Sequence, residues 1–466
     1  MTQPPSSAGA EGAQPEPFAR RLGRHMRLLF GLAWPVMLSR AGILLMAFTD
    51  IAMLGRYELG AAGQANLGLA VFVPVLVFCI GLTSGMVPVV AQAFGRGDLA
   101  ECGRAWRRAM VWAATVSGFG AAVVWNGEAV LLALGQSPEN AAAGGRVAEM
   151  LAPGLVAQVL FAASAFYLEA TNRPIPALLV MLVANLVNFG LNWLLIYGYG
   201  GFPEMGAPGA ALASTIARLV ALGGMLAFVL AQRDAAANGV RGPSETFWGP
   251  GGWRAGTMMR KLGLSAGISN GFETVGFGLM SLFAASLGSL ALDAYSISHN
   301  LVSTVFMIGL GLAVATGVRV GIETGRGQPA EAAFAGWTGF AAAAAVMAAL
   351  AALVLAFRSE IAWVYTDDPA LIARVSALLL FSVLVFAPDA MQVVMGQAIR
   401  ALGDAWVAAL VYLLAFAVML VPLGWWLTAR AGYDERAIAV AITICCAVAS
   451  ALLAWRFRVL TRDASR

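Results

Sequence analysis

Three acidic residues lie inside long apolar runs: Asp50 in "GILLMAFTDIAMLG" (42–55), Glu273 in "SNGFETVGFGLM" (269–280) and Asp389 in "VFAPDAMQVVMG" (385–396). A charged carboxylate at the centre of a membrane helix costs roughly 2.5–3.5 kcal/mol on insertion scales, so such residues mark either an ion or substrate pathway or a structural partner. The chemistry they offer is exchange. Burial favours the neutral form of a carboxylic acid, and one carboxylate cannot hold a proton and the charge of an organic cation together, so loading one expels the other. Glu273 stands 12 residues after Lys261 and Asp389 stands 11 before Arg400. At 1.5 Å per residue both are about 16–18 Å from the inner surface, close to the bilayer midplane. Pro388, just before Asp389, should kink its helix and free a carbonyl, which is tolerated beside a wet or protein-lined cavity. The plainer alternative is that each acid salt-bridges a buried arginine.

The elements that must position these acids follow from composition. The 466 residues are 60% hydrophobic and 12% charged, far from the balance of a soluble domain. Twelve apolar segments of bilayer-spanning length are expected at 27–53, 66–92, 107–134, 147–170, 175–199, 208–231, 263–288, 294–319, 332–357, 371–399, 405–428 and 436–457. The fold class is therefore an all-α membrane protein. With the N-terminus inside, 21 of the 29 Lys and Arg residues fall on inner segments, which places both termini in the cytoplasm. Those basic residues then serve as orientation signals and lipid-headgroup contacts, and the net charge of +4 implies no nucleic acid.

Several classes are excluded by what the chain lacks. It holds no G-x-x-x-x-G-K-[ST] phosphate loop and no H-E-x-x-H zinc motif, so neither ATP hydrolysis nor zinc catalysis is supported and no cofactor is called for. Residues 1–25 read as a polar cytoplasmic tail, disordered and not a signal peptide, with Arg20-Arg21 as a basic flank; 460–466 read as a second cytoplasmic tail. Cys79, Cys102, Cys445 and Cys446 sit in spans or an inner loop and form no disulfide framework. Of the two histidines, His25 belongs to the basic flank and His299 reads as a packed or interfacial residue rather than a proton relay.

The chain also repeats itself. "FGRGDLAE" (94–101) recurs as "TGRGQPAE" (324–331), and "YLEATNRPIPAL" (167–178) resembles "AIRALGDAWVAAL" (398–410), at offsets of about 230 and 231. Two six-helix lobes are expected at 26–231 and 262–459, joined by a cytoplasmic linker over 232–261. An even number of spans per lobe keeps both copies in one orientation, related by a pseudo-two-fold axis along the membrane normal, with a central cleft suited to alternating access.

Asn188 and Asn192 are i and i+4, so they share one helix face and offer amide oxygens to a cation. With Asp50 and Ser214 or Thr215 they could build an oxygen-lined site that takes Na⁺; asparagines also glue membrane helices together. Met46, Phe48, Phe72, Phe277, Met280 and Met391 could supply a soft wall for varied ligands, although such residues are commonly core or lipid-facing.

At these residues the chain resembles the multidrug and toxic compound extrusion (MATE) transporters, in particular the NorM-like branch, over about 26–459. "LAWPVMLSRAGILLMAFTDIAMLGR" is similar to the family's first helix and places the cation-linked acid at Asp50. "NFGLNWLLIYGYGGFPEMGAPGAALAST" (188–215) is similar to its fifth helix and the entry to its sixth. "FET" and "APDAMQVVMGQAIRALGD" resemble the motifs of the C-lobe acids Glu273 and Asp389, the latter including Gln392. The resemblance implies a non-enzymatic antiporter of the bacterial inner membrane, acting as a monomer. It would be driven by H⁺ or Na⁺ and export small, mostly cationic organic compounds. A lipid-linked oligosaccharide flippase of the same superfamily is the alternative, and would need a cleft richer in buried arginine. Arg40 departs from the family pattern, which has a neutral polar residue there. Ten residues from Asp50 and on another face, it is not expected to pair with that acid. The repeat puts the counterpart of Glu273 at 39–43, so Arg40 and Glu273 are expected to face each other across the cleft and pair when it closes on one side. The competing expectation is that Arg40 satisfies carbonyls freed near Pro35.

Overall fold

The computed structural model describes residues 17–58, 60–232, 234–241 and 252–463, and among them there is no β-strand. Twelve long helices run α1 Phe18–Gly55, α2 Ala61–Gly95, α3 Leu99–Trp125, α4 Pro138–Ala170, α5 Ile175–Tyr197 and α6 Gly206–Leu230 in the first lobe. The second lobe has α7 Thr257–Ser286, α8 Ser289–Gly325, α9 Pro329–Ala356, α10 Pro369–Ala401, α11 Trp406–Arg430 and α12 Glu435–Asp463. Eleven of them are long and apolar enough to cross a bilayer. The twelfth, α7, has 30 residues and carries Ser265, Ser269, Asn270 and Glu273 in place of part of its apolar face.

Helix starts follow from local chemistry. Asp98 caps α3 by accepting from the Glu101 amide, Ser137 caps α4 ahead of Pro138, and Asp368 caps α10 ahead of Pro369. Each cap satisfies an amide the first turn leaves unpaired, and proline at the first helical position gives up no bond. Pro388 lies in the interior of α10, and the helix continues through it from Pro369 to Ala401.

The internal repeat is visible in the element lengths. Helices α4 and α10 both have 33 residues and begin at 138 and 369, 231 apart. Short helices at Gly127–Ala133 and Arg358–Tyr365 precede them at the same spacing. The repeated "GRG" segments meet one another: a Cβ on Gly95 would strike the carbonyl of Ile322, and one on Gly325 the carbonyl of Gln92. The pseudo-two-fold axis therefore passes between α2 and α8 at the end of the molecule that carries the termini.

That end is where the lobes are clamped. Gln92 of α2 donates to the carbonyl of Ala401 at the end of α10 (2.8 Å). Helix α1 starts at Phe18, nine residues before the apolar span begins, because its charged first turns are held by the other lobe. Arg21 Nε (2.9 Å), Arg24 Nη2 (3.0 Å) and buried His25 Nε2 (2.8 Å) all reach Glu331 of α9, and Arg21 lies over Phe334 at 4.1 Å. Residues 18–25 are thus helix and not tail, while 1–16 lie outside the described residues. In the expected linker, Arg233 and 242–251 lie outside them too, and Lys261 sits within α7. The expected disorder of 460–466 fails as far as Asp463, where α12 ends; 464–466 lie outside the described residues.

Helices α2 and α7 cross in near backbone contact. A Cβ on Gly263 would overlap the Leu82 carbonyl, and one on Gly85 would overlap Met259 O and Gly263 N. Gly263→Ala is expected to destabilise the purified protein by about 1–3 kcal/mol through overpacking. Gly278→Ala, on the same helix with nothing within 4 Å, should stabilise it by about 0.5–1 kcal/mol as a simple helix-propensity gain. Thermal unfolding of both variants in detergent checks the contrast; equal shifts would remove the close crossing as a constraint.

Candidate functional site

The first-lobe site is built from three helices. Near its end α1 delivers Asp50, α5 delivers Asn188 and Asn192 from one face, and α6 delivers Ser214. Asn188 Nδ2 (3.0 Å) and Asn192 Nδ2 (2.6 Å) donate to Asp50 Oδ1, and Ser214 Oγ donates to Oδ2 at 2.5 Å. Asn188 also donates to Ser214 (3.2 Å) and accepts from Asn192 (3.3 Å), so the ring closes on itself. Asn188, Asn192 and Ser214 are fully buried, while Asp50 is half-buried. Thr215 is not part of it: one residue further round α6, its hydroxyl donates to the Met150 carbonyl (2.7 Å).

As placed, amide hydrogens and not oxygens face Asp50. The Asn192 Oδ1 is buried without a partner. A Na⁺ at Asp50 would require both amides to turn their oxygens inward, whereas a proton requires only that Ser214 reverse its hydroxyl from donor to acceptor. The cation whose charge acts on Asp50 is Arg218, one turn beyond Ser214 on α6. Its guanidinium lies over the Phe72 ring at 4.7 Å. The Ser214–Arg218 spacing of four could have flagged it, because i and i+4 share a helix face.

The second-lobe site joins the other two acids at one level. Gln392 Nε2 donates both to Glu273 Oε1 (3.1 Å) and to Asp389 Oδ1 (2.9 Å), bridging α7 and α10. Asp389 is 4% exposed and Gln392 fully buried, with Glu273 half-buried beside them. Cys446 of α12 adds a thiol at 3.9 Å from Asp389 Oδ1, a contact its sequence position did not announce. His299 stacks on Tyr295 (5.7 Å) and lies 5.6 Å from Phe277, a packed aromatic setting. Of the candidate wall residues, Met46, Phe72 and Met280 are core, while Phe48 is 70% exposed.

Arg40 does not face Glu273. Its Nη2 donates to both carboxylate oxygens of Glu169 in its own lobe, at 3.0 and 3.3 Å, with Phe166 at 5.1 Å from the guanidinium. Both side chains are buried. Neither sequence expectation named Glu169, which closes α4 within the repeated "YLEATNRP" segment. Arg400, which by sequence marks the inner surface, is likewise buried, and its Nη2 donates to Ser269 of α7 (2.8 Å).

A family model described as MatE matches residues 35–194 and 266–426. The probable multidrug resistance protein NorM of Caulobacter vibrioides is 34% identical over 438 residues, covering 93% of this chain and 91% of its own. The multidrug resistance protein PmpM of Pseudomonas aeruginosa is 30% identical over 411 residues, covering 87% and 84%. Among solved structures, the eukaryotic MATE transporter AtDTX14 superposes with a TM-score of 0.85 at 18% identity, covering 95% of this chain and 99% of its own. The two matched stretches fall one in each lobe and take in Asp50, Asn188 and Asn192 in the first, Glu273, Asp389 and Gln392 in the second. The chain is a member of the MATE family of membrane transporters, a carrier of the multidrug-efflux type and not an enzyme.

Proposed function

We propose that the chain exports small amphipathic, mostly cationic organic compounds in exchange for H⁺ or Na⁺ by alternating access. The observation that supports this reading is the pairing of two separate buried acid sites: Asp50 ringed by three donors in the first lobe, and Glu273 and Asp389 bridged by Gln392 in the second. In this reading the ion loads at Asp50 and the organic cation at the second-lobe acids. Of the two ions, a proton demands the smaller rearrangement of the donor ring around Asp50. Asymmetry of basic residues puts both termini in the cytoplasm of a bacterial inner membrane, so the Glu331 clamp lies on the cytoplasmic side. The lobes are taken as 26–231 and 262–459 with the linker between, in a monomer surrounded by lipid. The oligosaccharide-flippase alternative calls for a cleft richer in buried arginine; of the buried arginines, Arg40 and Arg319 are each held by a carboxylate, while Arg218 lies over Phe72 and Arg400 on the Ser269 hydroxyl.

Proteoliposomes loaded with a cationic dye test the reading, with H⁺ and Na⁺ gradients imposed separately. Export is expected under the H⁺ gradient. Glu273→Gln and Asp389→Asn should each weaken dye binding about tenfold, the scale of one close charge contact in a desolvated site. Export indifferent to both gradients, or unchanged affinity in both variants, would overturn it.

A further inference from the structure

The two lobes place an acid and an arginine at matching positions of the repeat with the charges exchanged, but only the first lobe joins them. Helices α4 and α10 are in register at 231 residues, so Glu169 and Arg400 are equivalent positions. The α1 and α7 registers place Arg40 and Glu273 within one turn of equivalence. In the first lobe the pair is closed, Arg40 on Glu169 at 3.0 Å. In the second lobe it is open. Arg400 donates to the Ser269 hydroxyl, four residues before Glu273 on the same face of α7, and its Nε is buried without a partner. Glu273 meanwhile is held by Gln392 (3.1 Å), and the Tyr412 phenol of α11 stands beside the same turn of α10. A guanidinium 5% exposed, one helical turn from the Glu273 carboxylate yet bonded to a neutral hydroxyl, is an unusual setting for a buried charge.

We propose that Arg400 is the resident counter-cation of the second-lobe acids. When the organic cation has left, its guanidinium passes from Ser269 to Glu273, one turn along α7, and closes there the pair that Arg40 and Glu169 hold in the first lobe. The proposal rests on the antiport reading above. Arg400 then competes with the transported cation for one carboxylate, which drives release and spares the empty site an uncompensated charge. Lobe movement has a direct handle on it, because the next residue, Ala401, is held across the seam by Gln92 (2.8 Å). Opening that end of the molecule frees the last turn of α10.

The test measures ethidium affinity by fluorescence and ethidium export from proteoliposomes for the full-length wild type, Arg400→Gln, Arg400→Lys and Ser269→Ala, with thermal unfolding as the folding control. Arg400→Gln should bind ethidium about tenfold more tightly and export it more slowly, because one competitor for the carboxylate is gone. Arg400→Lys should rescue both. Ser269→Ala, which removes only the bond that draws Arg400 away from Glu273, should move affinity the other way and weaken it. That variant decides the matter if Arg400→Gln does not fold. A purely structural Arg400 would lower affinity and export together in Arg400→Gln, or leave Ser269→Ala unaltered; either result overturns the proposal while the wild type still exports. A wild type that neither binds nor exports ethidium under any gradient removes the antiport reading, and the proposal with it.

Discussion

Asp50→Asn is expected to abolish gradient-driven export completely while leaving the protein folded and inserted. The substitution keeps size but removes the ionisable group: Asn188 and Asn192 can still donate to the remaining oxygen, while an amide NH2 stands where Oδ2 was and Ser214 turns its hydroxyl to accept from it. Stability should stay within about 1 kcal/mol of wild type, since a neutral amide replaces a charge and the Ser214 hydroxyl can reverse to pair with its NH2. Dye binding at the second-lobe acids should persist, because those residues lie on other helices and share no partner with Asp50. Export from proteoliposomes under H⁺ and Na⁺ gradients, paired with equilibrium binding of the same dye, makes the measurement. Wild-type export under both gradients would make Asp50 structural. Loss of binding together with export would show that the two lobes do not divide ion and substrate between them.

The helices and the groupings of polar residues on them are legible in the sequence for definite physical reasons. Span-length apolar runs announce helices because lipid leaves backbone groups no other partner. The i, i+4 spacing of Asn188 and Asn192 fixes a shared face whatever the neighbours, and the shared depth of Glu273 and Asp389 follows from helical rise counted from the basic residues that end their spans, Lys261 and Arg400. What sequence periodicity does not contain is which face of one helix meets which face of another. It therefore pairs Arg40 with the wrong lobe, and it leaves Glu169, inside the expected fourth span, without a partner to point to. Arg400 looks like a surface arginine because its position near the end of a span is where orientation signals collect; the structure turns it inward onto Ser269. The early start of α1 is hidden for a related reason. A run with Arg20, Arg21, Arg24 and His25 is too charged to read as part of a span, and its helix is held by contacts to Glu331 and Phe334 more than three hundred residues away.

The Arg40–Glu169 pair should behave oppositely to Asp50, with its largest effect on stability. Glu169 is 1% exposed and Arg40 6%, and the two bridge α1 and α4 within one lobe. Glu169→Leu alone would leave the guanidinium buried without a carboxylate, a change that costs roughly 3–5 kcal/mol. Adding Arg40→Met should restore most or all of the loss, because a buried ion pair replaced by apolar groups of similar volume is often neutral or more stable, by up to about 4 kcal/mol. Phe166, 5.1 Å from the guanidinium, would give the methionine an aromatic face to pack on. Thermal and denaturant unfolding of the wild type, both single variants and the double variant form a complete cycle. A coupling energy near zero would mean the two charges are satisfied separately. If the double variant is stable and still exports dye, the first-lobe pair is scaffold, and the arginine that changes partners is the one in the second lobe, where Arg400 already stands apart from Glu273.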